Sequence, residues 1–180
     1  MTHSTVGTLT VDCAAVAANY RALSARVGKA QTAAAVKADA YGLGMARVAP
    51  ALAAAGCDFF YVAHLEEALA LRKLLPRATI AVLHGISAAE QPLTSEQRLL
   101  PVLCSLADIQ AWQTRAKSLG QPLPVIIHLD TGMNRLGLPG AERKYLAETP
   151  TWLDGLVIRF WMSHLACADE PNHALNAQQL

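Results

Sequence analysis

Two rhythms of apolar and polar positions alternate along this chain. Short apolar runs bounded by turn residues read as strands: Leu9-Thr10-Val11, Ala33 to Val36, Asp58 to Ala63, Thr79 to Leu83, Leu99 to Cys104, Pro124 to Leu129 and Leu156 to Met162. Between them the spacing predicts helices at 45–55, 65–75, 106–118 and 141–148, with an earlier one that Asp12 can cap and that carries Ala15, Tyr20 and Leu23 toward Val27. Glu66 and Glu67 near the start of the 65–75 helix, and Arg72 and Lys73 near its end, complement its dipole. The stretch 84–98 has no clear rhythm.

Strands that alternate with helices pair in parallel, because the helix is the crossover that returns the chain to begin a parallel neighbour. The six strands from residue 33 onward suit either a doubly wound sheet or most of an eight-stranded barrel. A complete barrel takes about 250 residues. The last residues, Asn176 to Leu180, open a helix with no carboxyl cap, so the sequence is expected to stop inside an element.

Composition narrows the function classes. The 180 residues are 53% hydrophobic and 16% charged, with 15 basic against 14 acidic residues and a net charge of +1. That excludes intrinsic disorder and leaves no electrostatic footprint for nucleic acid or an anionic membrane. No apolar run approaches the roughly 18 residues of a membrane span. The amino terminus lacks a basic, then apolar leader, which predicts a cytoplasmic protein. Cys13, Cys57, Cys104 and Cys167 stand singly and read as small hydrophobes in a reducing compartment.

Three polar residues sit where predicted strands end. Lys37 follows the first strand and leads into Ala38-Asp39-Ala40-Tyr41-Gly42-Leu43-Gly44; a lysine there is either an ordinary residue leaving for solvent or an amine able to form a Schiff base with an aldehyde. The glycine spacing fits neither the phosphate-loop nor the dinucleotide signature, so nucleotide binding has no support. Arg135, within Asp130-Thr131-Gly132-Met133-Asn134-Arg135-Leu136-Gly137, is either a surface arginine or a fork for a carboxylate, phosphate or phenolate. His164, after Met162-Ser163, is a core histidine or a site residue. Parallel strands would bring all three to one face of the barrel. The histidines have no metal-ligand spacing, and His3, His64, His84 and His173 fall in unrelated places, so no metal is expected.

Together Val36 to Gly42, Leu65-Glu66-Glu67-Ala68, Asp130 to Gly137 and Ser163-His164 with Ala168-Asp169-Glu170 closely resemble the alanine racemase family. The resemblance covers the whole chain but about half of a family member. It implies that residues 1–180 are the amino-terminal part of a pyridoxal-phosphate-dependent barrel domain, an incomplete (β/α)8 fold of about six strands without the carboxyl-terminal β-domain, with which the strand at 8–12 would pair. It implies that Lys37 holds pyridoxal phosphate as a Schiff base and acts as the base on the D-alanine face. Tyr41 would help hold the phosphate, Leu83 would pack by the ring, His164 would lie against it, and Arg135 would bind the phenolic oxygen near the substrate carboxylate. His128 stands where many relatives carry a carbamylated lysine that buttresses the arginine, so Arg135 needs another support.

The resemblance further implies an isomerase of alanine that supplies D-alanine for peptidoglycan, and a homodimer for the complete enzyme. Racemisation needs a proton donor on each face, and the family's second donor comes from the carboxyl-terminal half. The 180 residues alone are therefore expected to be weakly active or inactive, and sticky at unpaired barrel edges. The alternatives are a barrel that captures the cofactor without turnover, and a remnant that folds only with a complementary chain.

Overall fold

The computed structural model describes residues 7–180; the leader reading and His3 fall on residues that lie outside the described ones. Six strands, β1 (Ala34–Ala35), β2 (Phe59–Val62), β3 (Thr79–Val82), β4 (Leu100–Leu103), β5 (Leu123–His128) and β6 (Leu156–Met162), form one parallel sheet whose spatial order is the chain order. A doubly wound sheet reverses its order at a switch point. No reversal occurs here, so the wall of a barrel is the correct alternative.

The connecting elements are α1 (Cys13–Arg26), the one-turn α2 (Lys37–Tyr41), α3 (Met45–Ala54), α4 (Leu65–Leu74), α5 (Gln91–Glu96), α6 (Leu106–Leu119), α7 (Gly140–Glu148), a 3₁₀ turn (Pro150–Leu153) and α8 (Ala174–Gln179). Alternation within the strands sorts side chains into two layers. Ala34, Val36, Phe60, Val62, Ile80, Val82 and Leu99 face α3 and α4, and Leu103, Leu123, Val125 and Ile127 face α6. The opposite parity, Phe59, Tyr61, Ala81, Leu83, Leu100, Val102, Cys104, Ile126 and Met162, packs together as the barrel interior. In β6 the register shifts at Val125/Ile126, so Arg159 is the extra residue; Ile158 faces the helices while Phe160 stacks on Phe59 inside.

Four expectations are corrected. Residues 9–11 form no strand: Leu9 is 77% exposed, and no described segment lies beside it to take its backbone hydrogen bonds. Asp12 does cap α1, its Oδ1 accepting the N–H groups of Ala14 and Ala15 at 2.9 and 3.0 Å, but the helix turns Val16, Ala17 and Tyr20 inward and leaves Leu23 exposed. The unassigned stretch contains α5, with Pro92 in its first turn, where a missing N–H costs nothing. His64 and His84 are neighbours, their rings edge to face at 5.0 Å, because β2 and β3 are adjacent and end together. Among the described residues no helix is long and apolar enough to cross a membrane, and no three potential metal ligands gather.

Candidate functional site

β1 continues the barrel-facing parity from Ala33 and Ala35 to Lys37, half-buried at the carboxyl-terminal mouth. The Val36 N–H still donates to Tyr61 O at 2.9 Å, which ties the last residue before Lys37 to β2. The chain then does something its sequence does not announce. Ala38, Asp39, Ala40 and Tyr41 all have φ between +50° and +57°, making a single left-handed turn of non-glycine residues. Each such residue costs roughly 1–2 kcal/mol, so four in a row persist only where the surroundings over-determine them.

Those surroundings are visible. Within the turn, Ala40 N–H donates to Val36 O, Gly42 N–H to Ala38 O and Gly44 N–H to Asp39 O, each at 2.9 Å. At its far end Asp39 Oδ1 accepts the N–H of Met45, the first residue of α3, at 2.7 Å. At its near end Glu67 Oε1 accepts the N–H of Ala38 at 2.6 Å. The turn leaves the Tyr41 side chain 63% exposed, its ring centroid 5.9 Å from Lys37 Nζ, within reach of a cation–π contact.

Arg135 is presented by the loop after β5. Leu129 N–H donates to Met162 O at 2.8 Å, and Leu138 returns beside Leu129 to exchange bonds with His128 O (2.8 Å) and the Asp130 N–H (3.0 Å). Inside that closed loop Asp130 Oδ1 accepts the N–H groups of Gly132 and Asn134, each at 3.0 Å. These backbone donors hold the Asp130 carboxyl below the usual carboxylate range. Gly137 is required by contact as well as by φ: a Cβ there would stand 2.7 Å from Asp130 N and 2.9 Å from Leu129 C.

His164 lies just past β6. Its pKa is lowered by burial first and then by the charges of Arg135 and Lys37, so the ends of β1, β5 and β6 do share one electrostatic neighbourhood. His128, buried on the interior side of β5, is likewise lowered, by burial and by the nearby His164 and Arg135 against the raising effect of Asp130. Cys104 Sγ lies 3.9 Å from both His128 Nδ1 and the carbonyl oxygen of Leu83. Burial, reinforced by Asp108, pushes that thiol up to about 11. Lys37, Tyr41, Leu83, Arg135 and His164 thus all sit at one end of the barrel, with His128 and Cys104 between Leu83 and His164.

The sequence reading missed the residues that hold this arrangement. Gln179, the buried polar side chain of α8, accepts the Ala166 N–H at 2.8 Å and donates to His164 O at 3.0 Å and Thr131 Oγ1 at 3.2 Å. Thr131 in turn shares a 2.6 Å hydroxyl–hydroxyl bond with Ser163. Glu67 is the other. Its place as the third residue of α4 was legible, but its partner in α2 lies 29 positions away.

A cavity of about 510 Å³ at the opposite, amino-terminal end is lined by Phe59, Arg72, Arg98, Arg159 and Phe160. Arg72 spends its donors on the carbonyl oxygens of Leu75, Pro76, Ala78, Gln97 and Arg98, which closes loop ends rather than facing a ligand. The chemistry-bearing side chains are at the other mouth.

Known proteins are similar to this chain in sequence and fold. The chain is 49% identical over 175 residues to the alanine racemase of Brucella suis, covering 97% of this chain and 44% of that protein. It is 52% identical over 172 residues to the alanine racemase of Acidiphilium cryptum, covering 96% of this chain and 48% of that one. The crystal structure of alanine racemase from Bartonella henselae with covalently bound pyridoxal phosphate superposes with a TM-score of 0.91 at 39% identity, over 94% of this chain and 49% of that chain. The chain therefore spans about half the length of the relatives it matches. A family model described as "Alanine racemase, N-terminal domain" matches residues 11–180, and the chain belongs to that family.

Proposed function

We propose that residues 1–180 are the amino-terminal part of the pyridoxal-phosphate-dependent barrel domain of an alanine racemase, which interconverts L- and D-alanine. The observation that supports this reading is that Lys37, Arg135 and His164 follow β1, β5 and β6, all at the carboxyl-terminal end of one parallel barrel wall. The donor set suits an aldehyde that carries a phosphate and a phenolate. An amine is available on Lys37, and the single ion pair among the described residues, Lys144 with Glu148, leaves Lys37 and Arg135 without carboxylate partners. Two unneutralised cations at one mouth favour an anionic occupant. Tyr41 offers an exposed phenol whose ring lies 5.9 Å from Lys37 Nζ, and Leu83 an apolar wall.

When bound, pyridoxal phosphate supplies an electron sink for the carbanion left at the amino acid α-carbon. Lys37 Nζ would hold the cofactor covalently, and the same amine would take up and return the α-proton on one face. Arg135 would bind the phenolic oxygen and orient the substrate carboxylate, Tyr41 would help hold the phosphate, and His164, whose charged form burial and the two cations disfavour, would lie against the ring. His128 stands in place of a carbamylated lysine, so the support of Arg135 falls to the Asp130 loop, which Gln179 holds through Thr131. The same reading makes alanine the substrate, the complete enzyme a homodimer in the cytoplasm, and D-alanine for peptidoglycan its product.

The test is a visible-absorbance titration of the chain with pyridoxal phosphate beside Lys37→Ala, followed by borohydride trapping and peptide mapping. A saturable adduct at Lys37, absent from the variant, is expected; identical behaviour of the two proteins would sink the reading. Assayed for alanine racemisation by itself, the 180-residue chain is expected to show little turnover, since Lys37 serves one face.

A further inference from the structure

We propose that Glu67 is a positioning residue for Lys37, its carboxylate clamping the left-handed turn that follows the lysine onto the neighbouring β2–α4 junction; the functional consequence rests on the reading that Lys37 carries the cofactor. The two carboxylate oxygens divide the work. Oε1 accepts the Ala38 N–H at 2.6 Å, and Oε2 accepts the Ala63 N–H at 2.7 Å, with the His64 N–H at 3.4 Å. One side chain thereby fixes the backbone next to Lys37 to the end of the adjacent strand.

The need for such a clamp comes from the turn itself. Ala38 to Tyr41 are all left-handed, none is glycine, and the Ala38 N–H points out of the turn rather than into its own hydrogen-bond ladder. If that N–H lost its acceptor, the residue after Lys37 could relax toward right-handed or extended backbone, and the Lys37 side chain would swing with it. A carboxylate suits the role because two separate N–H groups need two acceptor oxygens. Glutamine has one acceptor oxygen and would turn its NH2 toward one of the two donors. Glu66, one residue earlier on α4, is exposed and bonds to neither amide.

Three proteins test this: wild type, Glu67→Gln and the control Glu66→Gln. The first readout needs no cofactor. Wild-type chain is labelled with propanal and cyanoborohydride, and modification at Lys37 is compared with that at Lys29 and Lys73 in the same molecule. Glu67→Gln is expected to change Lys37 labelling several-fold relative to wild type, because release of the turn alters the exposure of the half-buried amine. Lys29, Lys73 and all sites in Glu66→Gln should keep wild-type rates.

The second readout is amide exchange, where residues 37–43 or 63–64 of Glu67→Gln should exchange faster by about tenfold, the worth of one charge-assisted hydrogen bond. With pyridoxal phosphate, the limiting rate of adduct formation at Lys37 should fall while the half-saturating concentration moves less than about threefold, as a misplaced but still binding-competent site requires. Wild-type labelling of Lys37 in Glu67→Gln, or a loss carried by half-saturation alone, overturns the proposal. Should Glu67→Gln not fold, exchange in the wild type decides: an Ala38 amide as fast as that of Asp39 refutes the clamp, and a slower one supports it. Failure of the wild type to capture pyridoxal phosphate removes the functional reading but leaves the propanal and exchange results to judge the clamp.

Discussion

Gly137 and Gly42 offer a comparison in which backbone strain and steric contact are separated by the structure. Both have positive φ, +105° and +82°, so alanine at either position pays for a conformation that L-residues disfavour. That cost is about 1–2 kcal/mol in each case, partly offset by the smaller entropy of an unfolded chain with alanine. Around Gly42 a new Cβ meets nothing within 4 Å, whereas at Gly137 it stands 2.7 Å from Asp130 N, 2.9 Å from Leu129 C and 3.1 Å from His128 Cδ2. Two of those three are backbone atoms in the bridge that closes the Arg135 loop, so they cannot rotate away. Overpacking of this kind costs roughly 1–3 kcal/mol beyond the φ penalty. Gly137→Ala should therefore destabilise the chain by about 1–3 kcal/mol more than Gly42→Ala, read as the difference in urea unfolding midpoint at constant slope. It should also displace the Asp130 N–H to Leu138 O bond, visible as faster amide exchange at Asp130. Equal losses in the two variants, or a larger loss at Gly42, would refute the steric argument.

Three further outcomes follow from the same geometry. His128 and His164 are both held below the ordinary histidine pKa of about 6.5, so below that pH the unfolded chain binds protons first. Stability is then expected to fall as pH drops from 7.5 to 5.5, with a shallower profile in His128→Gln; a flat wild-type urea midpoint across that range would contradict it. Cys104, with its thiol near 11, holds about one part in a thousand as thiolate at pH 8, so iodoacetamide mapping should find it alkylated after Cys13 and Cys167. Gln179→Ala removes one acceptor and two donor contacts and leaves the Ala166 N–H without its partner, a loss of about 1–3 kcal/mol in urea unfolding. An unchanged midpoint would mean that water replaces all three.

The strands were legible because each is a short apolar run whose two parities are buried on different faces, and a run such as Thr79 to Val82 can be nothing else once its neighbours are helices. The barrel was not separable from a doubly wound sheet, since both share that local pattern and differ only in which strand lies beside which. Lys37, Arg135 and His164 were legible as strand-end residues. The left-handed turn was not: Ala38-Asp39-Ala40-Tyr41 contains no glycine, and the carboxylates that brace it, Asp39 and Glu67, bond to amides up to 29 positions away. Gln179 was hidden for the same reason, because its hydrogen bonds run to Ala166, His164 and Thr131, 13, 15 and 48 positions away. Leu9 to Val11 misled because apolar spacing marks a strand only when another strand lies alongside.

The carboxylates around this mouth show how the site keeps its charge available. Asp130 is close enough to raise His128, yet its Oδ1 is committed to the N–H groups of Gly132 and Asn134. Glu67 is committed to Ala38 and Ala63, and Asp39 to Met45. Each acid is bound to backbone near Lys37 or Arg135, and none forms an ion pair with either cation among the described residues. An ion pair would satisfy those cations and make an incoming anion compete for them; a backbone hydrogen bond leaves them free while still anchoring the loops that carry them. The two histidines do not neutralise those cations: burial first, and then neighbouring positive charge, lowers the pKa of each. Replacing Asp130 with asparagine should thus disturb Arg135 through the loop rather than through lost charge pairing. Its effect on pyridoxal phosphate capture should track amide exchange at Gly132 and Asn134 and vary little with salt, whereas a direct ion-pair role would show a strong salt dependence.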